Sequence, residues 1–297
     1  MQTVRATSST ATEQEQTEAE PEYKLVANNP AAFRIAKGQL VQLARAALPF
    51  LFRLGSGGFV SGYRSGLAKD DGTYGVVKLA GRKVSETTTK IASLPRPKQP
   101  LELYEFEGCP FCRKVREAVA ILDIDVVFYP CPKGSPTWRS KVQKEGGRAL
   151  FPYMVDPNTG KAMYESDDII AYLFQTYGDG QVPLGLRLGF FTVLSCGLAL
   201  AASAGAGSRY RAAKLPAKHL IYWGYEASPF CKIVREVLCE LELPHLQKSV
   251  ARGSPKRQEL FEKRGQFQAP YLEDPNTGVA LFESADIIKY LNETYAA

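Results

Sequence analysis

The chain has 297 residues, enough for two domains of ordinary size, and its 45% hydrophobic and 23% charged content is that of a globular protein. The formal net charge of +6 is modest, and no basic array interleaved with aromatic residues supports a nucleic-acid partner. Six scattered cysteines are too few for a disulfide scaffold in a chain of this length, which favours a reducing compartment.

The first segment, residues 1–22, is polar and acidic, and its composition predicts disorder. Its opening, MQTVRA, resembles the V-R-A junction common in algal chloroplast precursors. This fragment favours a chloroplast location, in the stroma or at a membrane.

Residues 23–100 form a basic extension with thirteen Lys/Arg and three Asp/Glu. Its predicted helix, within 31–54, has one apolar stripe made of Phe33, Leu40, Leu43, Ala47 and Leu51. Pro49 should kink or end this helix. Two interpretations stay open, a helix packed on a domain and a helix that lies in a membrane interface.

Residues 101–178 predict one small domain with the element order βαβ-α-ββα. The apolar run 101–106 is a strand, and GCPFC follows it at the start of a helix. DVVFYP is a second strand, and Ser135 with Pro136 predicts the start of a second helix. DPNTG has the composition of a hairpin turn between two more strands. Ser166 is predicted to cap the final helix.

Residues 179–218 are predicted to be an apolar, helical linker. Within it, 188–208 is a run of 21 residues without a charge, which is long enough for a transmembrane candidate. A span would put the flanking domains on opposite sides of a membrane, so burial against the domains is the favoured alternative. Peripheral contact with a membrane or a protein complex through 23–100 and 188–208 also stays open.

Residues 219–297 repeat the first domain. ASPFCKIVREV at 227–237 matches GCPFCRKVREA at 108–118, and APYLEDPNTG and ESADIIKYL match FPYMVDPNTG and ESDDIIAYL. Each copy is too long for a solenoid repeat, so we predict two whole domains of the same topology. The first cysteine of the motif has become Ser228 in the second copy.

The two cysteines of the first copy have the spacing for thiol–disulfide exchange. Cys109 is placed at a helix N-terminus, where unpaired N–H groups and the helix dipole favour a thiolate. Cys112 lies one turn further in and would act as the resolving thiol. Because there is no second C-x-x-C, and His219 and His245 belong to the other copy, no metal site is expected.

The CPFC after a strand, the FP of Phe151-Pro152 and the ES of Glu165-Ser166 together resemble the glutaredoxin-like amino-terminal domain of glutathione S-transferases. CPFC is similar to the subgroup that includes prostaglandin E synthase type 2. The doubled pattern resembles tandem thioredoxin-fold proteins of plant and algal chloroplasts. The resemblance implies an α/β fold with two thioredoxin-like domains, each with its own four-stranded mixed sheet. We expect no all-helical transferase domain after either copy.

The same resemblance implies a glutathione site in each copy. Pro152 and Pro270 would be cis prolines, and Phe151 and Ala269 would pair with the cysteinyl part of glutathione. The remaining implied glutathione contacts are Glu165, Ser166, Ser228, Glu283 and Ser284. A helix start with free N–H groups is an anion site, which agrees with a γ-glutamyl carboxylate. The plain alternative is that the serines only cap helices.

Three functions stay open. The first is a glutathione-dependent oxidoreductase that acts on thiol and disulfide substrates through Cys109 and Cys112, with a second copy that is degenerate or only binds glutathione. The second is a non-catalytic binding or scaffold protein at a membrane or in a complex. The third is an iron–sulfur carrier, in which Cys109 and glutathione thiols hold a cluster between two molecules.

Overall fold

The computed structural model describes residues 23–26, 30, 34–201 and 205–297. The predicted disorder of 1–22 and the stripe residue Phe33 lie outside these residues.

The described part of the extension contains the predicted helix, a short 3-10 helix (Ile91–Ser93) and a small sheet. The small sheet was not predicted from the sequence. The α-helix and strands of the extension are β1 (Lys24–Leu25), α1 (Leu40–Phe52), β2 (Tyr63–Lys69), β3 (Lys78–Leu79) and β4 (Arg82–Thr88). Strands β2, β4 and β3 form a separate antiparallel sheet, which we call the small sheet. Glu86 of β4 fixes it to the second copy, because its buried carboxylate accepts hydrogen bonds from Arg252 Nε (2.5 Å) and Arg257 Nη1 (3.0 Å).

Helix α1 differs from its prediction in two ways. It continues through Pro49 to Phe52, so the proline does not end it. Only part of the predicted stripe is buried: Leu43 is buried as predicted, but Leu40 and Leu51 are exposed. The buried residues of the helix are Leu43, Ala46 and Pro49. The helix packs on the second copy through Leu43 and Ala46, which contact Ile233.

The first copy has the predicted element order. It comprises β5 (Leu101–Glu105), α2 (Pro110–Leu122), β6 (Val126–Pro130), α3 (Trp138–Gly146), β7 (Tyr153–Asp156), β8 (Lys161–Met163) and α4 (Ser166–Tyr177). The second helix begins two residues after Pro136, with Thr137 as its N-cap residue. Ser166 is the first residue of α4 and Glu165 is the N-cap residue, so the predicted cap is one position off.

The linker and the second copy complete the chain. They comprise α5 (Leu184–Arg187), α6 (Phe190–Ala201), β9 (Leu220–Gly224), α7 (Pro229–Glu240), β10 (His245–Ser249), α8 (Lys256–Arg264), β11 (Tyr271–Asp274), β12 (Val279–Phe282) and α9 (Ser284–Tyr295). Both copies have the strand order of a thioredoxin-like domain, β6-β5-β7-β8 and β10-β9-β11-β12, with the first two strands parallel and the rest antiparallel.

The prediction of two separate sheets is wrong. Strands β6 and β10 pair antiparallel, with His245 opposite Phe128, and this joins the two four-stranded halves. Strand β1 adds to β12, which gives one sheet of nine strands. The pairing removes two exposed strand edges, which would otherwise be free to pair with other chains.

A set of charged side chains is enclosed where the two copies meet. We call it the buried charge cluster, and its members are Glu105, Glu107, Arg113, Arg116, Glu117, Glu226, Lys232, Arg235 and Glu236. Glu107 and Glu226 hold equivalent positions in the two copies, as do Arg116 and Arg235. Each of these two glutamates forms ion pairs with both arginines, at 3.0 to 3.3 Å. Two of these pairs, Arg116–Glu226 and Arg235–Glu107, join the two copies. Arg113–Glu226 (3.0 Å) and Lys232–Glu107 (3.1 Å) do so as well, which gives four ion pairs between the copies within this cluster of described residues.

Two glycines allow the backbone of the extension and of the linker to pack directly against this cluster. Gly57 (φ +75°) and Gly207 (φ +70°) have backbone conformations that other residues rarely adopt. A Cβ at Gly57 would lie 3.0 Å from Cβ of Glu226, and one at Gly207 would lie 2.7 Å from Cβ of Glu107. Only glycine permits this approach, so the extension and the linker can each cover one side of the cluster.

Candidate functional site

The first candidate site is the start of α2. Cys109 is the N-cap residue, and its Sγ accepts a hydrogen bond from the backbone N–H of Cys112 at 3.2 Å. Pro110 follows at the first helical position, where its missing N–H is no loss. Cys109 is 4% exposed and Cys112 is fully buried, so only Cys109 reaches the surface.

The two thiols differ in acidity. Burial alone would raise the pKa of the Cys109 thiol, but hydrogen bonds from the side chain and the backbone N–H of Cys112 outweigh it and leave the pKa below its ordinary value. Burial, together with the hydrogen bond to Cys109, raises the pKa of the Cys112 thiol well above its ordinary value. The geometry therefore supports Cys109 as the thiolate and Cys112 as the shielded partner.

This difference predicts an order of alkylation. Because the thiolate is the reactive form, iodoacetamide should label Cys109 at a pH below the ordinary thiol pKa and label Cys112 only at higher pH or after unfolding. Labelling between pH 6 and 9, followed by mass spectrometry of the peptides, measures both rates. Buried Cys131 is the control for loss of structure. Equal rates at Cys109 and Cys112 in the folded protein would contradict the assignment.

The other implied contacts surround each helix start. The Phe151–Pro152 and Ala269–Pro270 peptide bonds are both cis, and Cys109 Sγ lies 4.0 Å from the carbonyl oxygen of Phe151. Glu165 (φ 63°) and Glu283 (φ 68°) both have left-handed backbone conformations just before a helix. A non-glycine residue in this region is strained, and such strain clusters at functional sites. A helix-capping role alone does not require this left-handed conformation at the glutamate in both copies.

The second site keeps the geometry of the first with an oxygen in place of the sulfur. Ser228 is the N-cap residue of α7, and its Oγ accepts a hydrogen bond from Cys231 N–H at 3.2 Å. Burial raises the pKa of the Cys231 thiol. The local backbone of the motif is therefore the same in both copies, although the Ser228 hydroxyl cannot form a disulfide.

The preserved geometry predicts that Ser228→Cys restores a disulfide to the second copy. Made in a Cys109→Ser chain, this variant should lose two free thiols on mild oxidation, and mass spectrometry should locate the bridge at positions 228 and 231, since the helix start brings the side chains within bonding range. The Cys109→Ser chain alone is the control. A folded variant without this disulfide would show that the backbone of the second motif differs from that of the first.

A cavity of about 330 Å³ lies over the second site. All five predicted residues of this copy line it, namely Ser228, Ala269, Pro270, Glu283 and Ser284. The loop between β2 and β3 of the small sheet contributes the other wall through Tyr74, Gly75 and Val76. The sequence did not predict this wall, because nothing in residues 63–88 resembles a glutathione site.

Two arginines give this cavity a basic side. Arg257 Nη1 donates to Tyr74 Oη at 2.8 Å, and its guanidinium stacks 4.7 Å from the ring centre of Phe267. Arg252 also lines the cavity, and both guanidiniums pair with the single carboxylate of Glu86. Beside these two, Arg34 also lines the cavity, so three arginines stand against the carboxylates of Glu86 and Glu283. The resulting excess of one positive charge suits an anionic ligand.

The remaining cysteines are buried thiols. Burial raises the pKa of Cys131, Cys196 and Cys239. Within 34–201 and 205–297, no group of three or more His, Cys, Asp or Glu side chains is arranged to hold a metal ion.

The fold and the two helix starts define a protein with tandem thioredoxin-like domains. The family described as Glutathione S-transferase, N-terminal domain, matches residues 103–181 and 223–297. These ranges cover more than half of the chain, which therefore belongs to this family. Membership supports a glutathione-related function in general.

Other comparisons cover less of the chain. Two structures of a Bombyx mori glutathione transferase, the first in complex with GTT, are 27% and 28% identical over 28% of this chain, with TM-scores of 0.25 and 0.24. The aligned part spans 39% and 38% of those chains. A comparison with curated proteins found no match.

Proposed function

We propose that the chain is a glutathione-dependent thiol–disulfide oxidoreductase, with Cys109 as the nucleophile and Cys112 as the resolving thiol. The supporting observation is the hydrogen bond from Cys112 N–H to Cys109 Sγ at a helix start, beside a cis proline. This arrangement stabilises the thiolate at the one cysteine of the pair that reaches the surface.

The chemistry is an exchange of sulfur–sulfur bonds. The Cys109 thiolate attacks the glutathione sulfur of a substrate disulfide, so a Cys109–glutathione bond forms and the substrate leaves as a thiolate that takes up a proton. A second glutathione then attacks this bond, and oxidised glutathione and the Cys109 thiolate are released. Alternatively, Cys112 loses its proton and attacks Cys109, which releases reduced glutathione and leaves a Cys109–Cys112 disulfide.

The test is reduction of a glutathionylated peptide by glutathione, coupled to glutathione reductase and followed through consumption of its nicotinamide cofactor. The proposal expects turnover above the uncatalysed exchange and a mixed disulfide on Cys109 in the mass spectrum. A folded protein with neither result would favour the binding or scaffold alternative.

For the second copy we propose glutathione binding without exchange. The supporting observation is that the cavity collects all five predicted residues of this copy. The Ser228 hydroxyl would donate a hydrogen bond to the glutathione thiolate, and the basic wall would attract its negative charge. A degenerate copy that kept only its fold would have no reason to retain an open, lined cavity at this place.

Calorimetry can test this second site. In a Cys109→Ser chain, which cannot exchange thiols there, glutathione should show two binding events, one in each copy. Val76→Trp should remove one of them, because its ring would fill the part of the cavity next to the small sheet. Leu67→Trp, which lies on an exposed part of the same sheet, is the control. Two events that survive Val76→Trp would place the second glutathione elsewhere.

We also propose a chloroplast location, on the resemblance of MQTVRA and of the tandem CPFC and SPFC motifs to plant and algal proteins. Peripheral association with a membrane or a complex through 23–100 and 188–208 is part of the same proposal. It is supported by the excess of basic residues in 23–100 and the uncharged run 188–208.

A further inference from the structure

Helices α1 and α6 together expose an unusual amount of apolar surface. We call it the apolar face, and its main members are Leu51, Phe52, Leu54, Phe190, Phe191 and Leu194. Phe190 and Phe191 are 71% and 69% exposed. Phe52, Leu54 and Phe191 line one shared groove, so the surfaces of the two helices are continuous. Soluble proteins rarely expose a patch of this kind without a binding role.

The exposure follows from how the helices pack. In α6, Thr192, Cys196 and Leu200 are buried at a spacing of four residues, and the opposite side faces outwards. In α1 the buried stripe is equally narrow. Each helix therefore packs on the domains through one stripe and exposes further apolar side chains that the domains do not cover.

Leu54 is the strongest sign of a function for this surface. Its side chain is 94% exposed, and its backbone has a φ of +50°. A leucine in this conformation costs roughly 1–2 kcal/mol relative to the right-handed region, and an exposed apolar side chain brings no compensating burial. Neither feature helps the isolated protein fold. Asparagine or glycine would suit this position better if folding were the only requirement.

The two segments that carry the apolar face have charges of one sign. No Asp or Glu occurs from residue 23 to 69 or from 180 to 225, the two segments that contain α1 and α6. Exposed Lys37, Arg45 and Arg187 lie on these segments. The described residues place no carboxylate within ion-pair distance of Arg45 or Arg187. An apolar surface on segments whose charged residues are all basic is complementary to a lipid bilayer that carries negative charge.

We infer that the apolar face docks on an anionic lipid bilayer, with Leu54, Phe190 and Phe191 inserted among the acyl chains and the basic residues at the headgroups. This deepens the peripheral association proposed above and does not depend on the redox chemistry. Among the residues that the structure describes, no helix has the length and apolarity to cross a bilayer. The chain would therefore lie on one leaflet, with both copies on the same side.

Vesicle flotation with the full chain tests this inference. Wild type should float with phosphatidylcholine vesicles that contain phosphatidylglycerol and bind pure phosphatidylcholine less, and salt should weaken the binding. Phe190→Ser with Phe191→Ser should lower the partition coefficient about tenfold or more, because two inserted rings are lost. Leu67→Ser with Leu79→Ser, which removes two equally exposed leucines from the small sheet, should have no effect.

Leu54→Asn separates docking from folding. It should weaken vesicle binding and yet leave the free protein as stable as wild type or more so, because asparagine tolerates the left-handed conformation. Failure of wild type to bind the anionic vesicles would overturn the inference, as would equal loss in the Leu67/Leu79 control. A concentration-dependent dimer that Phe190→Ser/Phe191→Ser abolishes, with no vesicle binding, would instead assign the face to a second copy of the chain. Glutathione-dependent turnover in the same variants shows separately whether the oxidoreductase proposal holds.

Discussion

Replacing Cys109 by serine is expected to reduce glutathione-dependent turnover to the uncatalysed level, a loss of about a thousandfold or more. A hydroxyl can accept the hydrogen bond from Cys112 N–H, as Ser228 does from Cys231, so the local fold should survive. The hydroxyl cannot form a bond to sulfur that another thiol reverses. Far-ultraviolet circular dichroism and melting would confirm that the variant is folded.

The variant Cys112→Ser then tells the two exchange routes apart. If a second glutathione resolves the mixed disulfide, this variant keeps its activity on glutathionylated peptides and loses only the reduction of disulfides that need both cysteines. If Cys112 is the resolving thiol, the Cys112→Ser variant must lose the reduction of disulfides that need both cysteines. Turnover by Cys109→Ser above the uncatalysed level would be incompatible with Cys109 as the nucleophile. Cys131→Ser, which replaces a buried cysteine outside the motif, is the control.

The repeat made most of the fold predictable from the sequence. Two copies of one pattern gave two independent tests of each strand and helix, and both copies have the predicted element order. The position of the candidate site was predictable from the C-x-x-C and S-x-x-C spacing. At a helix start, the side chain of the N-cap residue accepts a hydrogen bond from the backbone N–H three residues later, so this spacing brings the two motif residues together. The cis prolines were predictable only through family resemblance, since no local pattern requires them.

The contacts between the copies were not predictable in the same way. Strands β6 and β10 are edge strands of the two copies, and they pair with each other. Nothing in their sequences indicates whether such an edge strand is exposed or paired with another strand. The Tyr74 wall of the second site depends on where the small sheet docks. The buried charge cluster did leave a signal, since Glu107 and the Val-Arg-Glu of α2 recur in the second copy. Charged residues in a helix, however, are usually interpreted as a solvent-facing side.

The largest expected effect on stability is that of Arg116→Met. Arg116 is 2% exposed and forms ion pairs with Glu105, Glu107 and Glu226, the last of these from the other copy. Removal of one partner from a buried ion pair leaves an uncompensated charge, which costs about 3–5 kcal/mol. Urea unfolding should show a loss of this size. Arg211→Met removes a partly exposed pair with Glu240 and should cost less than about 1 kcal/mol.

Two further measurements distinguish orphaned charge from lost packing. Among the described residues Glu105 forms its ion pair with Arg116, while Glu107 and Glu226 both keep Arg235. Burial already raises the pKa of Glu105 above its ordinary value, and loss of Arg116 would raise it further, so the variant loses stability as the pH rises through that range. The free-energy loss should therefore be smaller at pH 5 than at pH 8. Adding Glu105→Gln should recover part of the loss, since it removes the carboxylate that Arg116→Met leaves without its partner, whereas Glu226 keeps its ion pair with Arg235. A loss that is independent of pH and unchanged by Glu105→Gln would mean that Arg116 acts through packing alone. The four ion pairs of the buried charge cluster between the copies would then not be what holds the two thioredoxin-like domains in one sheet.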